Sequence, residues 1–321
     1  VILTFLIIIF ISLLNVFNQQ ISSFLYSKKF STILDGRNKW YGMCNNIVDF
    51  KINNLKIIFV GDSHLFSGIN LEILNEKIPK LSLSCSIPAI TFEDNLKLSD
   101  YLINKYNPDL IFITLSQFQF QKADLKKENE RKNQFNKMIE ENPYSFQFYS
   151  LRSLANHFID PFSETTVAYK QRKFFENKNK FFFDKFDETI DVQLNKIVQN
   201  RYNKFPINMN KNLNLIKDYC KKSITVKSKI IFLDIPTPYF LKKNLFVQKK
   251  YEKLISSISN CYKVIKSEEI NYLSDKKFYL DRYAKFESQE KLKYDISHLN
   301  YLGALVFTNY LVEYIKKKYN D

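Results

Sequence analysis

Short apolar runs alternate with amphipathic stretches over most of the chain, a pattern typical of an α/β protein. The apolar runs predict strands at residues 56–60, 81–85, 110–115, 229–234 and 262–265. Continuous apolar runs of this kind favour a parallel sheet whose two faces are both covered. The amphipathic stretches predict helices at residues 69–78, 92–106, 245–258 and 301–317. Strands that alternate with helices in this way imply βαβ units with right-handed crossovers.

The alternation is interrupted between residues 117 and 228, where Lys, Asn, Gln and Phe dominate. Helical stretches are predicted near 122–141 and 188–200. A long, mostly helical insertion after the third strand would lie above the carboxyl edge of the sheet. We expect it to form a substrate-binding cap, and a structural filler is the alternative.

The amino-terminal segment is almost entirely apolar. Fourteen of the residues from Val1 to Phe17 are Val, Ile, Leu or Phe. As a helix this segment would span about 26 Å, close to the bilayer core of about 30 Å. No small-residue cleavage pattern follows, which favours an uncleaved signal anchor. We therefore expect a single-pass transmembrane anchor at 1–20, in contact with membrane lipid, and a polar connector at 21–54.

The formal net charge is +15, but it comes from 42 Lys and only 6 Arg. Recognition of phosphates and bases favours the bidentate guanidinium of arginine, so a nucleic-acid partner is not expected. The lysines are spread along the whole chain and indicate a solvated surface. Such a surface suits anionic lipid headgroups or an acidic glycan.

The scarcest residue types cluster in two short motifs. The chain has five glycines and three histidines, and Gly61-Asp62-Ser63-His64 follows the first predicted strand. The second motif, Asp295-Ile296-Ser297-His298-Leu299-Asn300, precedes the last predicted helix. A serine beyond the carboxyl end of a parallel strand lies where open α/β folds bind ligands. Ser63 as nucleophile, His298 as base and Asp295 as orienting acid would make an activated serine.

Together the two motifs resemble those of the SGNH/GDSL hydrolase superfamily, in particular its membrane-anchored branch with proteins of polysaccharide O-acetylation and teichoic-acid D-alanylation. The resemblance implies a three-layer, flavodoxin-like parallel sheet over residues 55–321. It also implies an O-acetyltransferase or esterase acting on ester-linked acyl groups of a cell-surface glycan or other acylated carbohydrate. The domain would then be extracytoplasmic (periplasm or cell surface), with a membrane acyl-donor protein as a candidate partner. No cofactor and no metal are expected.

The chain departs from the family where the oxyanion hole is completed. The family's second and third blocks supply a glycine and an asparagine, whereas this chain has neither after its second and third strands. Ser63, Ser86 and Gln117 are the remaining candidates, through backbone or side-chain groups. Loss of one such donor typically costs about 100- to 1000-fold in rate. The alternative function is therefore a catalytically degenerate SGNH-fold protein that binds or assembles surface polysaccharide.

Other polar residues of the two motifs have simpler expected roles. Asp62 is expected to shape its turn, and His64 is not expected to be the base, because neighbouring side chains usually diverge. Asn300 is expected to cap the last helix.

The four cysteines show no spacing typical of zinc ligands. Cys85 is expected to be an ordinary buried thiol. An extracytoplasmic domain would allow a Cys220–Cys261 bridge, although the sequence leaves the pairing open.

Overall fold

A computed structural model describes residues 55–78, 81–87, 90–121, 196, 199–200, 202–222, 227–238, 245–279 and 297–319. Its centre is a sheet of five parallel strands in the order β2-β1-β3-β4-β5. The strands are β1 Leu55–Gly61, β2 Leu81–Ser86, β3 Leu110–Leu115, β4 Lys229–Asp234 and β5 Lys263–Ile265. This strand order is the flavodoxin-like one, so the expected α/β parallel-sheet class is confirmed.

Helices connect the strands and cover both faces of the sheet. Within the described ranges the main α-helices are α1 Ser63–Gly68, α2 Leu71–Lys77, α3 Phe92–Tyr106, α4 Met209–Lys222, α5 Leu245–Ser259 and α6 Tyr301–Tyr319. Three 3₁₀ segments follow strand ends or turns at Gln117–Phe120, Ser267–Ser274 and Lys276–Phe278.

Alternate residues of each strand face opposite layers, which produces two hydrophobic cores. One core joins the sheet to α3, α4 and α5, and its strand residues include Ile58, Val60, Ile111, Ile113 and Phe232. The other joins the sheet to α1, α2 and α6, and its strand residues include Ile57, Phe59, Leu110, Phe112 and Ile231. The architecture is therefore three-layered.

Most predicted elements agree with the structure to within two residues, including β3, β4 and α3. The predicted helix at 69–78 corresponds to α2, whereas α1 was not predicted; the two helices are separated where the chain becomes extended at Ile69 (φ −118°, ψ 119°). The turn residue Ser63 thus begins a helix of its own.

Helix α4 is absent from the sequence-based prediction, which assigned residues 117–228 to an insertion. Tyr202, Ile207, Ile216 and Tyr219 belong to the same core as α3 and α5. The carboxyl-terminal part of the predicted insertion is therefore part of the α/β core. The predicted helix at 122–141 and most of the one at 188–200 lie outside the described residues.

Two cysteine predictions can be compared with the structure. A disulfide joins Cys220 at the end of α4 to Cys261 after α5, with Cα atoms 5.7 Å apart. Cys85 is buried and is also disulfide-bonded, so the expectation of a free thiol there is wrong. The bridge between Cys220 and Cys261 ties together two helices of one layer.

The predicted anchor at 1–20 and connector at 21–54 lie outside the described residues. Among the helices that are described, none has the length and apolar character needed to cross a bilayer.

Candidate active site

The strand order creates a switch point between β1 and β3. The connection from β1 runs to β2 on one side, whereas β3 continues to β4 and β5 on the other. Ligands of open α/β folds bind in the crevice at the carboxyl ends of such strands. Ser63 lies two residues beyond β1, and Ser116 directly follows β3. The first sequence motif is therefore at the position where this fold class places its ligands.

A close approach between β1 and β3 makes glycine necessary at the end of β1. A Cβ atom at Gly61 would collide with Oγ1 of Thr114 and lie 3.0 Å from its Cβ. The Thr114 hydroxyl donates to the carbonyl of Val60 at 3.2 Å, which holds it in that space. Gly61 thus allows the two strand ends to meet beneath the turn that carries Ser63.

The two sequence motifs meet at the side chains of Ser63 and His298. Nε2 of His298 lies 2.8 Å from Oγ of Ser63, although the residues are 235 positions apart. Both side chains are only half-buried, so the pair is accessible from solvent. This distance is the one that a nucleophile and its general base require.

The segment after His298 is fixed against the 3₁₀ turn at Lys276–Phe278. Leu299 forms an antiparallel bridge with Tyr279, and the backbone N–H of Asn300 donates to the carbonyl of Phe278 at 2.8 Å. The Asn300 side chain donates to the carbonyls of Lys277 and Tyr279 at 2.6 and 3.2 Å. Asn300 Oδ1 accepts from the N–H of Gly303 at 2.9 Å, as a helix N-cap does. The expected capping role of Asn300 is confirmed.

Asp62 is the buried carboxylate beside this pair. Its Oδ1 accepts from the backbone N–H of His64 at 2.9 Å and from Nδ1 of the same residue at 3.0 Å. Its Oδ2 accepts from the hydroxyl of Ser116 at 2.6 Å. Burial opposes ionisation, but the charge of His64 and the hydrogen bonds from His64 and Ser116 outweigh it and hold the Asp62 pKa well below its usual range. Asp62 therefore shapes its turn, as expected, and also anchors two side chains.

His64 stacks directly on His298. The ring centroids are 4.4 Å apart and the planes differ by 9°. Phe118 also stacks on the His64 ring, with a centroid distance of 5.5 Å. Tyr202 stacks on Phe118 with a centroid distance of 6.3 Å. The imidazole in contact with Ser63 is thus that of His298, and His64 lies at the site through its stack on His298, which the sequence did not indicate.

The other two oxyanion candidates make hydrogen bonds of their own. The hydroxyl of Ser86 donates to the carbonyl of Asp62 at 2.6 Å, which places Ser86 directly beside the turn. The amide of Gln117 donates to Gln248 at 2.9 Å and accepts from the hydroxyl of Tyr202 at 2.5 Å. Ser86 is therefore near Ser63, whereas the Gln117 side chain is engaged with α5 and the segment before α4. Their oxyanion role stays a prediction.

A second buried carboxylate lies at the same sheet edge, at the end of β4. Asp234 accepts from the hydroxyl of Tyr251 at 2.5 Å and from the backbone N–H of Ser267 at 3.1 Å. Burial, with the negative charge of Asp234, raises the pKa of Tyr251 well above its usual value. These bonds tie α5 and the Ser267–Ser274 segment to the sheet.

The predicted third member of the triad, Asp295, lies outside the described residues. Within the described part of the chain, no group of three or more His, Cys, Asp or Glu side chains could hold a metal ion.

Three features of the site were not identified from the sequence: Ser116 as a partner of Asp62, the position of Phe118, and His64 as a partner of His298. Ser116 and Phe118 follow β3 directly, and that position was the available signal, since residues after neighbouring parallel strands share one edge. No pattern in the sequence indicates that His64 stacks on His298, because the contact depends on where the fold places the segment before α6.

No family model matches the chain, and no curated protein matches it. Among solved structures, the chain is similar to the lipase/acylhydrolase from Enterococcus faecalis. The two chains share 12% identical residues over 82% of this chain and 96% of that one, with a TM-score of 0.36. A similarity at this level carries no argument about activity, which must be inferred from the site itself.

Proposed function

We propose that this protein is a serine acyl-transfer enzyme of the SGNH type that acts on ester-linked acyl groups of a surface carbohydrate. The observation that carries the proposal is the 2.8 Å contact between Ser63 Oγ and His298 Nε2 at the β1/β3 switch point. A half-buried serine hydroxyl within hydrogen-bond reach of an imidazole is the arrangement that nucleophilic catalysis needs.

The reaction proceeds in two steps. Ser63 Oγ attacks the acyl carbonyl while His298 Nε2 takes the hydroxyl proton. The tetrahedral intermediate then releases the alcohol, which recovers that proton from His298, and the acyl group stays on Ser63. Water or a sugar hydroxyl repeats the sequence in reverse and regenerates the serine. Asp295 is assigned to orient His298 and to stabilise its protonated form.

Two features support a surface carbohydrate as the substrate. The excess of 15 positive charges would attract an acidic polymer. Phe118 places a half-buried aromatic ring beside His64, and such rings stack on sugars. We assign the choice of acceptor to the segment from residue 117 towards α4, which contains this ring.

An extracytoplasmic location, with a membrane anchor at 1–20, is part of the proposal. The disulfide between Cys220 and Cys261 supports it, because such bonds persist in oxidising compartments and are rare in the cytosol. A membrane-impermeant amine reagent applied to intact cells would label the lysines of an extracytoplasmic domain and leave a cytoplasmic one unmodified.

A fluorophosphonate probe tests the chemistry without knowledge of the natural substrate, since labelling requires an activated serine. Wild-type protein is expected to be labelled, whereas Ser63→Ala and His298→Ala are not. Ser256→Ala, an exposed serine on α5, is the matched control and should label like the wild type. Equal labelling of wild type and Ser63→Ala would remove Ser63 from the mechanism.

A second experiment separates esterase from transferase. Purified protein is supplied with p-nitrophenyl acetate, alone and with an oligosaccharide acceptor. An O-acetyltransferase produces acetylated sugar, detected by mass spectrometry, whereas an esterase produces acetate at the same rate in both reactions.

The alternative is a degenerate SGNH-fold protein that binds or assembles surface polysaccharide. The hydrogen bonds that engage Ser86 and Gln117 favour it, because they occupy side chains that could otherwise serve an oxyanion. This alternative predicts no fluorophosphonate labelling of folded wild-type protein, together with retention on an acidic glycan column that Ser63→Ala does not weaken.

A further inference from the structure

We infer that His64 is a positioning residue for His298: its imidazole forms a fixed surface on which the base is held in reach of Ser63. The inference rests on the proposed acyl-transfer function and adds to it a residue outside the predicted Ser63–His298–Asp295 triad.

The geometry of the two rings carries the argument. A centroid distance of 4.4 Å with planes 9° apart means that the two imidazoles are stacked in parallel with an offset. The hydrogen bond to Ser63 fixes the position of Nε2 of the His298 ring. Contact with a second flat ring adds a restraint on the plane of the His298 imidazole.

His64 is itself immobilised, as a positioning surface must be. Its Nδ1 lies 3.0 Å from the ionised Asp62, and Phe118 packs on the ring. Asp62 is held in turn by the 2.6 Å bond from Ser116 at the end of β3. The side chain of His64 is 5% exposed. Its ring position is therefore determined by β1, β3 and the segment after β3, all of which belong to the central sheet.

A rigid surface matters here because the base and the nucleophile belong to different elements of the fold. The base reaches the site from the α6 side, whereas Ser63 belongs to β1 and α1. His64 is the next residue after the nucleophile. The position of a base that stacks on His64 is therefore fixed relative to Ser63 through a single peptide unit. Accurate placement of the base matters, because a displacement of a catalytic group by about 1 Å can lower the rate about 100-fold.

The test compares His64→Ala with His64→Phe. Both variants lose the Nδ1 bond to Asp62, but only the phenylalanine keeps a flat ring against His298. The measured quantity is the second-order rate of fluorophosphonate labelling of Ser63. We expect His64→Ala to be about 10- to 100-fold slower than wild type and His64→Phe to be restored to within about fivefold.

A control must separate loss of the ring from loss of stability. Phe112 of β3 stacks on Phe59 of β1 at 4.8 Å, in the core that joins the sheet to α1, α2 and α6. Both residues lie before the carboxyl ends of their strands. Phe112→Leu removes a buried aromatic contact of similar kind away from the site, and should label at the wild-type rate. Circular dichroism establishes which variants are folded.

A proton NMR measurement reports the stack directly. A ring lying over His298 shifts the ring protons of His298 upfield, so the shift should be present in wild type and in His64→Phe and lost in His64→Ala. If His64→Ala does not fold, Phe118→Leu replaces it, since it removes the ring packed on His64 and should slow labelling several-fold.

Each result decides one question. Labelling of His64→Ala at the wild-type rate, or equally slow labelling of the alanine and phenylalanine variants, would overturn the positioning role. Wild-type labelling by Phe118→Leu, where it is the substitute, would do the same. Failure of the wild type itself to label would instead refute the proposed acyl-transfer function, so the two failures cannot be confused.

Discussion

The side chain of Thr114 occupies the space in which a Cβ atom of Gly61 would lie. The contact is between the last residue of β1 and the penultimate residue of β3, directly beneath the turn that carries Ser63. It explains why one of only five glycines in the chain is found there. Any side chain at position 61 must separate the two central strands at the site.

Gly61→Ala is therefore expected to destabilise the protein, by about 1–3 kcal/mol, as overpacking of a close-packed interior usually does. Removal of the opposing hydroxyl should restore part of the loss, so Gly61→Ala with Thr114→Ala should be less destabilised than the sum of the single variants. Urea unfolding of the four proteins measures this coupling. Strict additivity would show that the two residues do not compete for the same space.

Asp62→Asn tests the buried network between Asp62, His64 and Ser116. At pH 7 the substitution should cost about 1–3 kcal/mol of unfolding free energy, because it weakens charge-assisted hydrogen bonds in a buried place. The folded-state pKa of Asp62 lies below that of the unfolded chain, about 3.9. The advantage of the wild type is thus complete above that value and is lost as pH falls through the folded pKa.

Unfolding in urea at a series of pH values tests the sign. The difference between wild type and Asp62→Asn should stay constant from pH 7 to about pH 5 and shrink below about pH 4. A difference that grows on acidification would mean that Asp62 is protonated in the folded protein.

The Cys220–Cys261 bridge should stabilise the layer formed by α4 and α5. It closes a loop with a sequence separation of 41 residues. The loop-entropy relation gives a stabilisation of about 4 kcal/mol for that length as an upper figure. The variant with both cysteines replaced by serine should unfold at correspondingly lower urea concentration. Unchanged stability, also after treatment of the wild type with reductant, would show that the bridge contributes nothing.

Asn300→Ala should weaken both the start of α6 and the placement of His298. The lost N-cap is expected to cost about 1 kcal/mol, and the lost bonds to Lys277 and Tyr279 release the segment that carries the base. Fluorophosphonate labelling of Ser63 should slow, by about tenfold, if His298 shifts by a fraction of an ångström.

The matched control for this variant is Asn309→Ala, on the same helix. Asn309 accepts a hydrogen bond from Lys77 at the surface, far along α6 from His298. It should change stability by less than about 0.5 kcal/mol and leave labelling unchanged. Equal labelling by both variants would show that Asn300 only caps the helix.

The fold class was predictable from the sequence because buried parallel strands must be continuously apolar. The runs around Ile58 and Ile111 show that pattern in the sequence alone, and their lengths are those of strands. Helix α4 was missed because its surroundings are rich in Lys and Asn, and the apolar side chains of Ile216 and Tyr219 are recognisable as core only once α3 and α5 are placed against them.

At the site, the sequence by itself determined which residues could react: a serine after the first strand and a histidine before the last helix. Local spacing is enough for that, because the turn after a parallel strand and the residue before a helix are defined by their immediate neighbours. Only the tertiary structure decided what lies around them. The stacking of His64 on His298 and the bond from Ser116 to Asp62 join residues 234 and 54 positions apart. Contacts between such distant residues arise from the strand order and the packing of α6, and no local pattern in the chain records them.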